Sequence, residues 1–203
     1  MGTAAQYLQM LRDIRDTSMA TVGADGMPRI RIIDTMLVEG EKLYFLTARG
    51  KDFYRELMAT GHVAITGLNS RWETVRVRGK VKNIGHEYLD RIFEENPSMN
   101  NVYPGETREI LEVFCLDEGE GEYFCLAQEP IEREPFSFGG EEISPKGFLI
   151  TDECIGCGTC QASCPQNCIE EGAPFVIRQN NCLHCGRCFE NCPVSAIIRK
   201  GNV

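Results

Sequence analysis

The 203-residue sequence predicts a mainly β fold with some α: an antiparallel β-barrel over residues 1–128, a linker over 129–145, and a small α+β domain over 146–203. Three observations carry this. Before residue 128, short apolar runs alternate with turn signals and few stretches have helical periodicity, the pattern of a closed antiparallel barrel. Nine of the 11 cysteines fall after residue 150, so the two ends of the chain follow different chemistry. Between them, prolines, glutamates and the pair Gly139-Gly140 break any period.

Taken in order, Ala4 to Asp16 repeats Tyr7, Leu8, Leu11 and Ile14 near a 3.6 period, which predicts an amphipathic helix. Met19 to Val22 is an apolar strand, Ala24-Asp25-Gly26 a turn, and Arg29 to Val38 one long extended run. Glu39-Gly40-Glu41 turns the chain into a partner strand, Lys42 to Thr47. Lys51 to Thr60 is helical by its pairs Phe53/Leu57 and Tyr54/Met58. Strands follow at His62–Leu68 and Glu73–Val81, then a helix over Glu87–Glu95 that Pro97 ends. Glu112–Leu116 and Glu122–Leu126 predict a hairpin around the acidic turn Asp117–Gly121. Alternation places Ile30 and Ile32 inside the barrel with Arg29 and Arg31 outside; likewise Val75 and Val77 point in, and Thr74, Arg76 and Arg78 point out.

In the last quarter, Cys154, Cys157, Cys160 and Cys164 recur 28 residues later as Cys182, Cys185, Cys188 and Cys192, each set closed by Pro165 or Pro193. Three thiolates spaced by three residues wrap one face of a cuboidal cluster, while the fourth is carried off to the cluster of the other half. That assigns one 4Fe-4S cluster to Cys154, Cys157, Cys160 and Cys192, and the second to Cys182, Cys185, Cys188 and Cys164. Over about 146–200 these residues resemble bacterial two-cluster 4Fe-4S ferredoxins. Structural zinc pairs C-x-x-C units across a long spacer, and disulfides need an oxidising compartment, so both fit the pattern less well. Cys168 falls on Ala196 under the same shift and reads as core, as do Cys115 and Cys125. His62, His86 and His184 have no partner pattern.

A formal net charge of −9 argues against nucleic acid and anionic membranes as partners. Two assembled clusters would add about −2 each, which favours a basic docking partner, and a one-electron redox partner such as a ferredoxin is expected. No apolar run approaches the length of a membrane span, and the N-terminus lacks a secretion signal, so the expectation is a cytoplasmic protein of an anaerobic setting.

One candidate site remains in the barrel. The strand Leu43–Thr47 runs through Ala48-Arg49-Gly50 into a helix at Lys51, where a helix start and the side chains of Thr47, Arg49 and Lys51 offer donors to a phosphate. Arg31 would approach from an adjacent strand. Pro28 and Arg31, then Thr47 and Lys51, then Val75 to Gly79 resemble, in order and spacing, the pyridoxamine-phosphate-oxidase-like FMN-binding split barrel over about 5–127. The resemblance implies a homodimer holding FMN between split barrels, with Arg31, Ile32, Ile33, Thr47, Ala48, Arg49, Lys51 and Thr74 as cofactor-binding residues. Trp72 and Arg71 would reach a neighbouring subunit's flavin. Deazaflavin F420 and haem are alternatives that such barrels also accommodate. The spacing from Thr47 to Lys51 is shorter than in the oxidases, Thr74 stands where they have glutamine, and their C-terminal W…R segment is missing. The vitamin substrate therefore does not carry over. The expected function is an FMN-dependent flavin/iron–sulfur oxidoreductase that reduces or oxidises an unidentified small molecule; the alternative is an electron carrier or redox sensor whose barrel serves dimerisation and docking.

Overall fold

Helix α1 (Ala4–Ile14) begins at a capping box: Thr3 Oγ1 accepts from the Gln6 backbone N–H, and Gln6 Oε1 accepts from the Thr3 N–H at 2.7 Å. Its apolar stripe buries Tyr7, Leu8 and Leu11. The computed structural model describes residues 2–201, and after α1 a mainly antiparallel sheet of eight strands dominates. These are β1 (Asp16–Val22), β2 (Pro28–Asp34), β3 (Leu37–Glu39), β4 (Lys42–Ala48), β5 (His62–Leu68), β6 (Glu73–Asn83), β7 (Leu111–Cys125) and β8 (Glu132–Phe138). Their order is β2-β1-β5-β6-β7-β4-β3, with β8 also paired to β7.

The sheet is a curled half-barrel of mainly antiparallel strands, in keeping with the expected split β-barrel. β2 and β3 stand at opposite ends of the hydrogen-bonded path, yet only Thr35 and Met36 separate them in the chain. At that step the backbone changes partners: the Thr35 N–H bonds the Arg15 carbonyl and the Met36 N–H bonds the Tyr44 carbonyl, both at 2.9 Å. The extended run 29–38 is therefore two strands. Helix α2 (Asp52–Thr60) buries Phe53 and Leu57 in the curl, with Phe45 stacked on both Phe53 and Phe114.

The predicted faces of β2 are reversed. Arg31 pairs in register with the fully buried Met19, so it shares the core-side face, while Ile30 and Ile32 are 73% and 61% exposed. The sequence pattern is symmetric under a one-residue shift here, and either phase of the alternation reads equally well. On β6 the predicted phase holds: Val75 and Val77 are buried and Arg76 and Arg78 are exposed.

The hairpin expected at Asp117–Gly121 is also absent, because β7 runs unbroken from Leu111 to Cys125. Gly119 and Gly121 do not adopt the left-handed φ of a tight turn. They let strands approach: a Cβ on Gly119 would stand 2.5 Å from the Arg78 carbonyl oxygen, and one on Gly121 2.6 Å from that of Arg76. The acidic residues around them form one side of a charge ladder, with Arg76–Glu122, Arg78–Glu120, Lys80–Glu118 and Lys82–Asp117 as its rungs. Cys115 and Cys125 lie on this one strand, both buried. Beyond β6, α3 (Leu89–Glu95) and α4 (Met99–Val102) complete this part, and Leu89, Ile92 and Phe93 pack with Tyr44 and Leu111.

Two compact units result, Met1–Tyr123 with Pro135–Ile143, and Phe124–Glu134 with Ser144–Val203. The stretch 129–145 thus carries β8 and contributes to both. In the second unit, β9 (Phe148–Ile150) pairs with β12 (Ile197–Arg199), and β10 (Ile169–Glu170) pairs with β11 (Val176–Ile177). Helix α5 (Thr159–Ala162) maps onto α6 (Arg187–Glu190) under the 28-residue shift. Backbone geometry repeats too. Positive φ recurs at Gly156 and His184, at Gly158 and Gly186, and at Asn167 and Ser195. No helix among the described residues is long and apolar enough to cross a membrane.

Candidate functional site

The cysteines of the second unit gather by space, not by repeat. Cys164, Cys182, Cys185 and Cys188 line one hollow, together with Phe148, Ile169 and Ile177. Cys154, Cys157, Cys160 and Cys192 line the other, with Ile150, Phe175 and Ile197. Each hollow takes three thiols from one half and the fourth from the other, in keeping with the duplication. All eleven cysteines are free. Among the described residues no three His, Cys, Asp or Glu side chains converge on a single metal ion. Four sulfurs around an apolar hollow form a donor set that fits a 4Fe-4S cluster: soft ligands, no competing oxygen, little water.

Local bonds condition these thiols. Thr159, hydrogen-bonded to Cys157 at 3.4 Å, holds that thiol below its usual range. The hydrogen bond with Cys168 brings Cys182 down to about 6 against its own burial, helped by the His184 N–H and the charges of Arg133 and Lys200. Burial pushes Cys188 up to about 11. Cys168 is buried, 3.5 Å from Cys164 Sγ, and lines the same hollow.

In the sheet unit, Thr47, Ala48, Arg49 and Lys51 make one continuous strand-to-helix turn. The Lys51 N–H bonds the Ala48 carbonyl at 3.0 Å, and Lys51 takes the N-cap position of α2 without a side-chain cap, so the first amides of the helix keep their donors. Thr47 is buried and its Oγ1 has no hydrogen-bond partner. Arg49 donates to the Glu109 carbonyl at 2.7 Å and meets Glu112 at 3.4 Å. An orphaned hydroxyl, uncapped amides and two cations fit a phosphate monoester, the terminal group of FMN.

Arg31 reaches this helix by a different route from the one expected. β2 is not adjacent to β4 in the sheet. Its guanidinium crosses the Phe53 ring at 4.6 Å, pairs with Glu56 at 2.7 Å and donates to Thr21 Oγ1 at 2.5 Å. Glu56 is held below the ordinary carboxylate range: its desolvation opposes this, but the bonds from Thr21 and Arg31 outweigh it. Thr21, Phe53 and Glu56 were not legible as Arg31's partners, since nothing in their spacing distinguishes them from other helix and strand residues. Ile33 shares the side of β2 that carries Arg31, whereas Ile32 is on the opposite, open face. Thr74 pairs in register with Leu68 at the far end of β5 and β6. The exposed Trp72 has φ 62° in the turn before β6, and Arg71 pairs with Glu73.

Residues 4–109 match the family described as pyridoxamine 5'-phosphate oxidase, and residues 146–196 match the 4Fe-4S dicluster domain. No curated protein matches the chain. Among solved structures it is similar to a NimC/NimA family protein from Clostridium acetobutylicum, 26% identical with a TM-score of 0.58, covering 66% of this chain and 90% of that one. A heme binding protein from Mycobacterium smegmatis is 11% identical with a TM-score of 0.52, over 68% of this chain and 59% of that one. PhzG from Burkholderia lata, solved with tetrahydrophenazine-1-carboxylic acid, is 14% identical with a TM-score of 0.51, over 69% of this chain and 84% of that one. The last two bear on the fold alone.

Proposed function

The chain belongs to the pyridoxamine 5'-phosphate oxidase family, and from that premise we propose that it is a flavin/iron–sulfur oxidoreductase passing electrons between two 4Fe-4S clusters and FMN. A flavin-binding domain of this family joined to a 4Fe-4S domain supports a redox, electron-transfer role. The observation that carries the finer reading is the pair of four-thiol hollows, each built from both halves of the repeat. A flavin exchanges two electrons at once or one at a time, whereas each cluster carries one, so their fusion links a two-electron substrate to one-electron partners.

The residues have distinct parts in this reading. Lys51, Arg49, Thr47 and the start of α2 bind the phosphate end, with Ala48 at the turn. Arg31 serves as a positioning residue through Phe53 and Glu56 on α2. The open face with Ile30 and Ile32, also carrying Thr74, suits a homodimer partner that would cover the flavin. The eight cysteines hold the clusters as paired above.

The test is anaerobic reduction of the loaded protein by dithionite-reduced ferredoxin, followed at the flavin absorbance, and then a screen of oxidised small molecules as acceptors. Bleaching of the flavin, reversed by an acceptor, is expected. A flavin that stays oxidised while the clusters reduce would contradict the reading. The engagement of Arg31 by Glu56 favours a second reading, an electron carrier whose sheet serves dimerisation and docking. Gentle purification that yields intact cluster spectra without flavin would select it.

A further inference from the structure

We propose that the protein gives its two cluster sites different affinities for an electron, with Cys168 as the positioning residue that makes the site of Cys164, Cys182, Cys185 and Cys188 fill first. This rests on the two-cluster reading above. The duplication supplies an internal control for it. Under the 28-residue shift, Cys168 falls on Ala196, Arg187 on Thr159, and the pair Asn180-Asn181 on Asp152-Glu153.

Cys168 and Ala196 are both 1% exposed, and each follows the fourth cysteine of its run by four residues. They occupy the same packing position with different chemistry. Ala196 offers its backbone N–H to Cys192 Sγ at 3.3 Å, and its methyl offers nothing more. Cys168 Sγ lies 3.5 Å from Cys164 Sγ and lines the hollow shared by Cys164, Cys182, Cys185 and Cys188. It stands outside the set of four ligands, so its S–H is free to serve as a donor to the neighbouring ligand sulfur. A donor to a ligand sulfur favours the state with more electron density there, so the site becomes the better electron acceptor. Ala196 shows that a methyl satisfies the packing, which leaves the sulfur to be explained.

One surrounding charge acts in the same direction: Arg187 lines the hollow that contains Cys168. The first repeat instead enters its first ligand, Cys154, through Asp152 and Glu153. Against the matching residues of the first half, Cys168 and Arg187 favour an electron at the second site, and Glu190 in place of Ala162 opposes them.

The experiment is an anaerobic reductive titration of the full-length, iron-loaded protein with dithionite, followed by EPR, comparing the wild type with Cys168→Ala and Cys168→Ser. Iron per chain is measured on the same samples. The wild type is expected to reduce in two resolved steps. Cys168→Ala should shift the equilibrium between the sites by roughly three- to tenfold, about 59 mV at the upper end, by weakening the first step alone. Cys168→Ser keeps a proton donor of similar size and should retain the separation. Two steps that coincide in the wild type, or an unchanged separation in Cys168→Ala, would overturn the inference. So would a collapsed separation in Cys168→Ser at full iron. With about eight irons per chain, such a result sinks this inference and leaves the two-cluster reading standing. About four irons per chain would instead sink the two-cluster reading, and this inference with it.

Discussion

In the sheet unit Phe45 stacks between Phe53 and Phe114, with Leu43, Leu57, Val75 and Leu116 fully or almost fully buried around the same curl. In the cysteine-rich unit, four of the ten buried core residues are Cys160, Cys168, Cys182 and Cys188. The first unit buries a core of its own side chains. The second, of about seventy residues, sets four buried cysteines among six apolar side chains around two hollows, and domains of that size need a staple. The contrast teaches that the two halves of the chain differ in what their folding depends on: apolar packing in one, bound clusters in the other.

Removing iron sharpens that contrast most. Chelation of the loaded protein should abolish hydrogen-exchange protection across 146–201 while β4 to β7 stay protected; equal loss in both units would break the comparison. Changing Cys182 to Ser is the partial version. Iron should fall to roughly half, since one of two clusters loses a ligand, while flavin content stays unchanged.

A core truncation should act on the other side. Phe45→Ala is expected to cost the sheet unit about 3–5 kcal/mol in denaturant unfolding, with no change in iron per folded chain. A smaller loss, about 1–3 kcal/mol, is expected for Gly119→Ala, whose added Cβ meets the Arg78 carbonyl across the β6–β7 approach. If Gly119→Ala proves neutral, the close approach is not what fixes those glycines.

The smallest expected effect is a pH dependence. Glu112 sits beside Thr47 in register, and its carboxylate accepts from Asn83 and Tyr54, which hold it below the usual carboxylate range. A depressed carboxylate stabilises fully above its unfolded value and loses that contribution as pH falls through the folded one. Thermal unfolding of the wild type should therefore weaken below the ordinary carboxylate range, and Glu112→Gln should flatten that acid limb. Parallel acid limbs would remove Glu112 as its source.

The grouping of the cysteines was the most legible part of the sequence, because their thiols lie close together in the chain and the repeat states the pairing twice. The strand pattern gave the half-barrel and its helices for a similar reason, with α1, α2 and β4 falling close to their expected limits. Errors arose where the deciding contact is distant. Gly119 and Gly121 look like turn glycines until β6 is laid against them. Ile30 and Ile32 look like core until Met19 fixes the register of Arg31. Thr35 and Met36 look like mid-strand residues until Arg15 and Tyr44 take their amides. The proposed flavin site stood between these cases: the turn from Thr47 to Lys51 is local and readable, whereas Arg31's bond to Glu56 joins elements separated by two strands in sequence.

Iron and flavin per chain, measured together on protein purified without oxygen, test the central claim most directly. The account predicts about eight irons and about one FMN, the flavin identified by mass spectrometry after release. A colourless preparation, or a brown one from which no flavin can be extracted, would contradict it.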